Sequence, residues 1–399
     1  MTASNLSASG LRRLHDVLAG YVQRGEVPGL VAVVARRGEV QVEVLGAMEA
    51  GGTVAMRRDA IFRIASLTKQ MLATVALILV EDCGIRLDDA VDPLLPELAG
   101  RRVLRQLDGP VDDTVPARRP ITLRDLLTNR MGLGMILAPR GSLPIQRAIA
   151  EARLSPGPDS APFGPDEYMR RLGTLPLVHQ PGEGWMYHVS SDVLGVLLAR
   201  AAGRPLPELM EERLLSPLGM ADTGFHVPPA KVERLPAAYR PDPVSGALVE
   251  TGAAGEAQLT RPPSFPSGGG GMVSTADDLL TFSTMLLNRG RHGGTRILSR
   301  SSVELMTTDQ LTDQQRADNP MFFAGRSGWG MGLAVDLRRT ELSSLPGRFG
   351  WEGGTGASLH TDPVEGLIGI LLTQRSMTSP LQTAVMRDFW TCAYAAIDD

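Results

Sequence analysis

A chain of 399 residues with 43% apolar content can bury a large core, and its length points to two domains or one domain with a big insertion. A formal charge of −4 and a pI near 5.9 leave no basic excess, and the arginines are scattered, which argues against nucleic acid or anionic lipid as a partner. Two distant cysteines, Cys83 and Cys392, with no CxxC pair argue against a disulfide framework or a zinc site and fit a reducing compartment.

The first residues contain no apolar stretch of signal-peptide length, and Leu11, Leu14, Leu18 and Tyr21 follow at helical spacing, so a cytoplasmic protein opening on an amphipathic helix is expected. Leu30 to Ala35 and Val40 to Leu45 are β-branched runs on either side of Arg36-Arg37-Gly38-Glu39, a hairpin pattern. Ile61 to Ala65 reads as a short strand, and Gln70 to Val80 as a buried helix ended by Gly84. That helix is too short, and too closely flanked by Lys69, Glu81 and Asp82, to cross a membrane.

Helical pieces with irregular loops follow. Thr122 with Asp125 predicts a capping box, Ser190 or Ser191 a cap for Val193 to Ala202, and Ser274 with Asp277 a cap for Leu279 to Leu287. Segments 136–166 and 240–271 are rich in Pro, Gly and Ser, and excursions of that length are expected to border a site. Toward the C-terminus, Trp329 to Leu337, Arg348 to Trp351, Ala357 to Thr361 and Leu367 to Thr373 read as strands, and Leu381 to Ile397 as a final helix. Short connections imply antiparallel pairing. The expected architecture is an α/β fold with one antiparallel sheet made from both chain ends and flanked by the terminal helices. Residues 1–69 and 325–399 form this sheet domain, 70–324 form a large, mostly helical inserted domain, and the active site lies between them.

Lysine is the rarest charged residue: only Lys69 and Lys231 occur. A guanidinium does not release its proton in a protein, whereas an ammonium in a dry pocket does, so a proton-shuttling position tolerates Lys and excludes Arg. Lys69 closes Ser66-Leu67-Thr68-Lys69. Ser66 is placed to open the buried helix at the positive end of its dipole, and the i to i+3 spacing stacks the amine above the hydroxyl, as a nucleophile and its activator require. Gly268 to Gly271 lack a following Gly-Lys-Ser/Thr and read as a flexible or tightly packed turn. GxSxG is absent, which excludes the strained nucleophile elbow of α/β-hydrolases, and the six histidines form neither HxH nor HxxxH, so no metal is expected, nor any other cofactor. Tyr187, after Pro181-Gly182-Glu183-Gly184-Trp185-Met186, is by itself a packed tyrosine with a satisfied hydroxyl. In Phe349-Gly350-Trp351-Glu352-Gly353-Gly354-Thr355-Gly356 the glycines either free backbone N–H groups for a ligand or form a β-bulge beside a core tryptophan.

Taken in order, Ser66-Leu67-Thr68-Lys69, Tyr187 and Trp351-Glu352-Gly353 resemble serine hydrolases of the class C β-lactamase and DD-peptidase fold, and specifically the family VIII carboxylesterases. Ile121 to Thr128, Asp192-Val193-Leu194-Gly195, Pro217-Leu218-Gly219-Met220 and Pro266 to Met272 are similar to further landmarks of that family. The resemblance implies that Ser66 attacks an ester carbonyl, that Lys69 and Tyr187 share its proton, and that the N–H groups of Ser66 and Gly354 hold the oxyanion. It implies that Trp351, Glu352, Gly353 and His188 line the substrate. Tyr187-His188-Val189 stands where the lactamases carry Tyr-x-Asn, and Trp351-Glu352-Gly353 where they carry Lys-Thr-Gly. An aromatic wall and an acid thus replace a cation, and Glu352 is expected to repel anionic substrates. The expected activity is cleavage of small neutral carboxylic esters through an acyl-enzyme. Alternatives are an amide hydrolase of the same fold (a β-lactamase or peptidase), an acyltransferase, or a non-catalytic binding protein on this scaffold. The expected partner is a small-molecule ester, with no nucleic acid or membrane, and the oligomeric state is left open.

Overall fold

The computed structural model describes residues 5–157, 161–251 and 259–398. Its organising element is strand β1 (Gly29–Arg36), buried along its whole length. Side chains alternate faces along a strand, so Val31 and Val33 enter one hydrophobic core while Leu30, Ala32 and Val34 enter another. The second core is closed by the apolar stripes of α1 (Ala8–Gln23; Leu14, Leu18, Tyr21) and of the last helix (Ala384–Ala395; Met386, Phe389, Trp390). The first is filled by the inserted helices, among them α2 (Thr68–Glu81), in which twelve consecutive residues from Thr68 to Leu79 are buried.

The hairpin partner of β1 is β2 (Glu39–Gly46), a half-exposed edge strand. The rest of the sheet comes from the C-terminal quarter: β3 (Ser327–Trp329), β4 (Ala334–Asp336), β5 (Phe349–Gly353), β6 (Ala357–Asp362) and β7 (Leu367–Thr373). These run in the order β3-β4-β5-β6-β7-β1-β2, all antiparallel, and β7 pairs with β1 from Leu30↔Thr373 to Arg36↔Leu367. One sheet is therefore built from both chain ends and backed by the terminal helices, as expected.

Several expected boundaries change. The strand expected over Trp329 to Leu337 breaks into β3 and β4, because the intervening turn packs on the start of α2; a Cβ on Gly332 (φ 76°) would lie 2.5 Å from the Lys69 carbonyl. Ser66 does not open the α-helix directly. It lies in a 3₁₀ turn, Ala65–Leu67, that precedes α2 and follows a strand of only two residues, Phe62–Arg63. Neither Ser190 nor Ser191 is a cap, since the helix Val189–Ala202 begins earlier, with His188 at its N-cap position. The helix Ala276–Leu287 is capped one residue later than expected, by Thr275 accepting from the Asp278 N–H. The capping box of Thr122 with Asp125 is present as read. Of segments 136–166 and 240–271, residues 158–160 and 252–258 lie outside the described residues. Among the described residues no helix is long and apolar enough to cross a membrane.

Candidate active site

Three chain segments converge on Ser66. The first is its own turn, fixed by a two-residue pairing of Phe62 with Ser274 and Arg63 with Val273, which draws the Gly268–Gly271 run alongside. Met272 locks the junction: its N–H donates to Thr68 Oγ1 at 3.2 Å and its carbonyl accepts from the Ile64 N–H at 3.1 Å. Ala65, immediately before the serine, has φ 42°, a left-handed conformation costly to a residue with a Cβ.

The second segment is the end of β5. A Cβ on Gly353 would fall 2.4 Å from the Ile64 carbonyl, so only glycine lets this strand pass the serine turn so closely. Thr355 Oγ1 donates to the Arg63 carbonyl at 2.5 Å, which ties the chain just after Gly354 to the chain that leads into the serine turn. Open space lies where a Gly354 side chain would be. In the 3₁₀ turn the N–H groups of Leu67 and Thr68 are the donors, so that of Ser66 stands outside the turn's own hydrogen bonds.

The third segment carries Tyr187. Its carbonyl accepts from Met135 N–H at 2.9 Å, and its hydroxyl accepts from Trp351 Nε1–H at 2.6 Å. Trp185, Phe322 and Trp329 pack around these two rings, with centroids 5.7 Å (Trp185) and 5.2 Å (Phe322) from Tyr187 and 4.9 Å (Trp329) from Trp351. This aromatic wall was not read from the sequence apart from Trp351, because its members are spread over separate segments.

Lys69 Nζ stands 3.2 Å from Ser66 Oγ and donates to the Gly269 carbonyl. It also lies 3.4 Å from His188 Nδ1 and 4.5 Å from the centre of the Tyr187 ring. Only 1% of Lys69 is exposed. Burial, which disfavours the charged amine, lowers its pKa from 10.5 to about 7, and the negative charge of Asp192 partly opposes this. Burial raises the Tyr187 phenol well above its ordinary range, against hydrogen bonding with Ser66 and Trp351. The buried amine, not the phenol, is thus the group that changes charge near neutral pH.

Ser66, Lys69, Tyr187, Trp351, Gly353 and Gly354 come together, whereas two expected substrate contacts do not. Glu352 leaves the site, because successive strand residues face opposite ways and Trp351 takes the inward face. Its carboxylate accepts from Gln382 Nε2 and lies 2.9 Å from His360 Nε2, on the side of the sheet where Trp390 packs against His360. The expectation that it repels anions in the cleft is therefore corrected. His188 lies behind Lys69, buried, rather than on the cleft wall. Asp192, named in the sequence only as a landmark, sits beneath it and accepts from Ser267 Oγ at 2.6 Å and Gly269 N–H at 2.9 Å. Its being the one charged residue between Val189 and Leu198 was the available signal.

The whole chain is similar to known proteins. The sequence profile of the Beta-lactamase family matches residues 14–386. Esterase EstB of Burkholderia gladioli is 33% identical over 416 residues, covering 97% of each chain. Protein Rv1367c of Mycobacterium tuberculosis is 39% identical over 363 residues, covering 88% of this chain and 86% of that one. Among solved structures, EstCE1, a hydrolase with promiscuous acyltransferase activity, superposes with a TM-score of 0.79 at 25% identity, covering 97% of this chain and 98% of its own.

Proposed function

The chain belongs to the Beta-lactamase family, and from that premise we propose that it cleaves small, neutral carboxylic esters through an acyl-enzyme on Ser66. The observation that carries the reading is the buried Lys69 amine 3.2 Å from Ser66 Oγ. The neutral amine takes the hydroxyl proton as Oγ attacks the ester carbonyl, and the C–O π pair moves onto oxygen. The N–H groups of Ser66 and Gly354 are the donors for that oxyanion. Collapse expels the alkoxide, which takes a proton from the Lys69/Tyr187 pair, and leaves the acyl group on Ser66. Water then attacks the acyl carbonyl, giving its proton to the Lys69/Tyr187 pair; collapse breaks the bond from the acyl carbon to Oγ, which takes that proton back, and the carboxylic acid leaves.

Ester rather than lactam specificity follows from the inward residue of β5. Trp351 offers an indole whose N–H is already bound to Tyr187, so this position supplies no cation for a substrate carboxylate. The resemblance to Esterase EstB supports the same choice. A second outcome, transfer of the acyl group to an alcohol in place of water, is favoured by the likeness to EstCE1. Two free cysteines, Cys83 and Cys392, are compatible with a reducing, cytoplasmic setting.

The test is a panel of p-nitrophenyl esters beside a chromogenic cephalosporin, with and without a small alcohol, for wild type and Ser66→Ala. Short-chain esters should turn over, the cephalosporin should lag, and Ser66→Ala should lose about 10⁴-fold or more. Full activity of Ser66→Ala would end the nucleophile assignment, and equal turnover of the cephalosporin would end the ester preference.

A further inference from the structure

Three features are unused by the mechanism above, and all meet at one side chain. His188 sits at φ 85°, ψ −64°, and the Val189 N–H donates to the Tyr187 carbonyl at 3.3 Å across it, a strained γ-turn of the rare positive-φ hand. Gly269 cannot carry a side chain, since its Cβ would lie 2.7 Å from His188 Nε2 and 3.0 Å from Asp192 Oδ1. Asp192 is buried in the helix that begins after His188, with its Oδ2 3.5 Å from His188 Nε2. A strained backbone and an obligatory glycine are thus both needed to seat one buried imidazole.

We propose that His188 is a positioning residue that aims the lone pair of the Lys69 amine at Ser66, an inference that rests on the Ser66–Lys69 reading above. Hydrogen-bond arithmetic at Nζ gives the reason. A neutral amine has two N–H donors and one lone pair. Among the described residues its hydrogen-bonding partners are three: the Gly269 carbonyl, which only accepts, His188 Nδ1 at 3.4 Å and Ser66 Oγ at 3.2 Å. If Nδ1 is the unprotonated nitrogen, it takes the second N–H, and the lone pair is left for the Ser66 hydroxyl proton. If Nδ1 carried the hydrogen, it would compete with Ser66 for the lone pair. Asp192 selects the productive tautomer, because an acceptor at Nε2 keeps the hydrogen there. Among the described residues, the titratable groups facing the imidazole are Lys69, Asp192 and the Tyr187 ring at 6.0 Å; the Gly269 segment contributes the carbonyl to Lys69 and an N–H and the Ser267 hydroxyl to Asp192, none of which titrates, and the charge of Asp192 also acts on Tyr168. Burial and the Lys69 charge keep His188 neutral, as the role requires.

The test measures the rate at which a fluorophosphonate labels Ser66, as a function of pH, in wild type, His188→Leu, His188→Asn and Asp192→Asn. This readout needs Ser66 activation but no substrate. Leu matches Asn in shape and lacks the acceptor. His188→Leu should lower the high-pH plateau about tenfold or more and move the acid limb to lower pH, because the ammonium loses a stabilising acceptor. His188→Asn, whose Oδ1 replaces Nδ1, should recover to within about fivefold of wild type. Asp192→Asn should also lower the plateau, and it decides the matter if His188→Leu does not fold. A partly unfolded sample would lower the plateau without moving the limb. Labelling by His188→Leu at the wild-type rate with an unmoved limb, His188→Asn as slow as His188→Leu, or an unchanged plateau in Asp192→Asn would overturn the proposal. If wild type labels with this pattern but cleaves no ester, the ester reading fails and the role of His188 stands.

Discussion

Burial gives Lys69 a pKa of about 7 in place of 10.5, so the rate should follow the titration of this single amine. At pH 8 an amine of ordinary pKa is neutral in about 0.3% of molecules, whereas one at 7 is neutral in about 90%, so burial supplies about 300 times more base. From pH 6 to pH 8 the neutral fraction rises from about 9% to about 91%, so kcat/KM for p-nitrophenyl butyrate should climb about tenfold and then level off. Initial rates collected from about pH 5 to pH 9, at a wavelength where product absorbance is independent of pH, measure this directly. Lys69→Arg keeps the charge and loses the ability to deprotonate, so its activity should be about 10³-fold below the wild-type high-pH plateau, with no acid limb near 7. A flat wild-type profile across neutrality, or Lys69→Arg within about tenfold of wild type, would show that the amine acts only as a fixed charge and refute the reasoning.

Tyr187→Phe should lower kcat about 100-fold with KM within about twofold, as expected of a proton-transfer group; a raised KM at constant kcat would make it a substrate wall. Trp351→Phe removes the indole N–H that donates to Tyr187 Oη at 2.6 Å, which should slow kcat by about tenfold, or about 1.4 kcal/mol; an unchanged rate would show that this bond does not orient the phenol. Glu352→Gln should leave kcat/KM for both the ester and the cephalosporin within about twofold, because the carboxylate faces away from Ser66. Its effect belongs to stability. Burial favours the neutral acid, but His360 and Gln382 outweigh it and hold Glu352 at about 2 instead of 4.5. A depressed carboxyl stabilises the fold above its unfolded pKa and loses that contribution as pH falls toward 2, so Glu352→Gln should cost about 1–3 kcal/mol at pH 7 and less near pH 3. Denaturant titration at the two pH values checks the sign, and equal losses would contradict it.

Local pattern sufficed for the elements whose side chains see one environment per face: the hairpin of β1 and β2, the apolar stripes of the terminal helices, and the Ser66 to Lys69 spacing, which one helical turn converts into 3.2 Å. Short loops also foretold antiparallel pairing of the C-terminal strands. The parity of β5 was not legible. Phe349, Gly350, Trp351 and Gly353 are all buried, so alternation carried no contrast to say whether Trp351 or Glu352 faces Ser66, and packing against Tyr187 made the choice. His188 and Asp192 were opaque for a different reason. A γ-turn of positive φ at a non-glycine residue opposes local preference and persists only because the surrounding contacts fix it. The pKa of Lys69 belongs to the same class: charge near neutrality is set by how much water is excluded, and the α2 helix, the Gly269 carbonyl and the Tyr187 ring that exclude it come from three distant parts of the chain, brought together only by the tertiary fold.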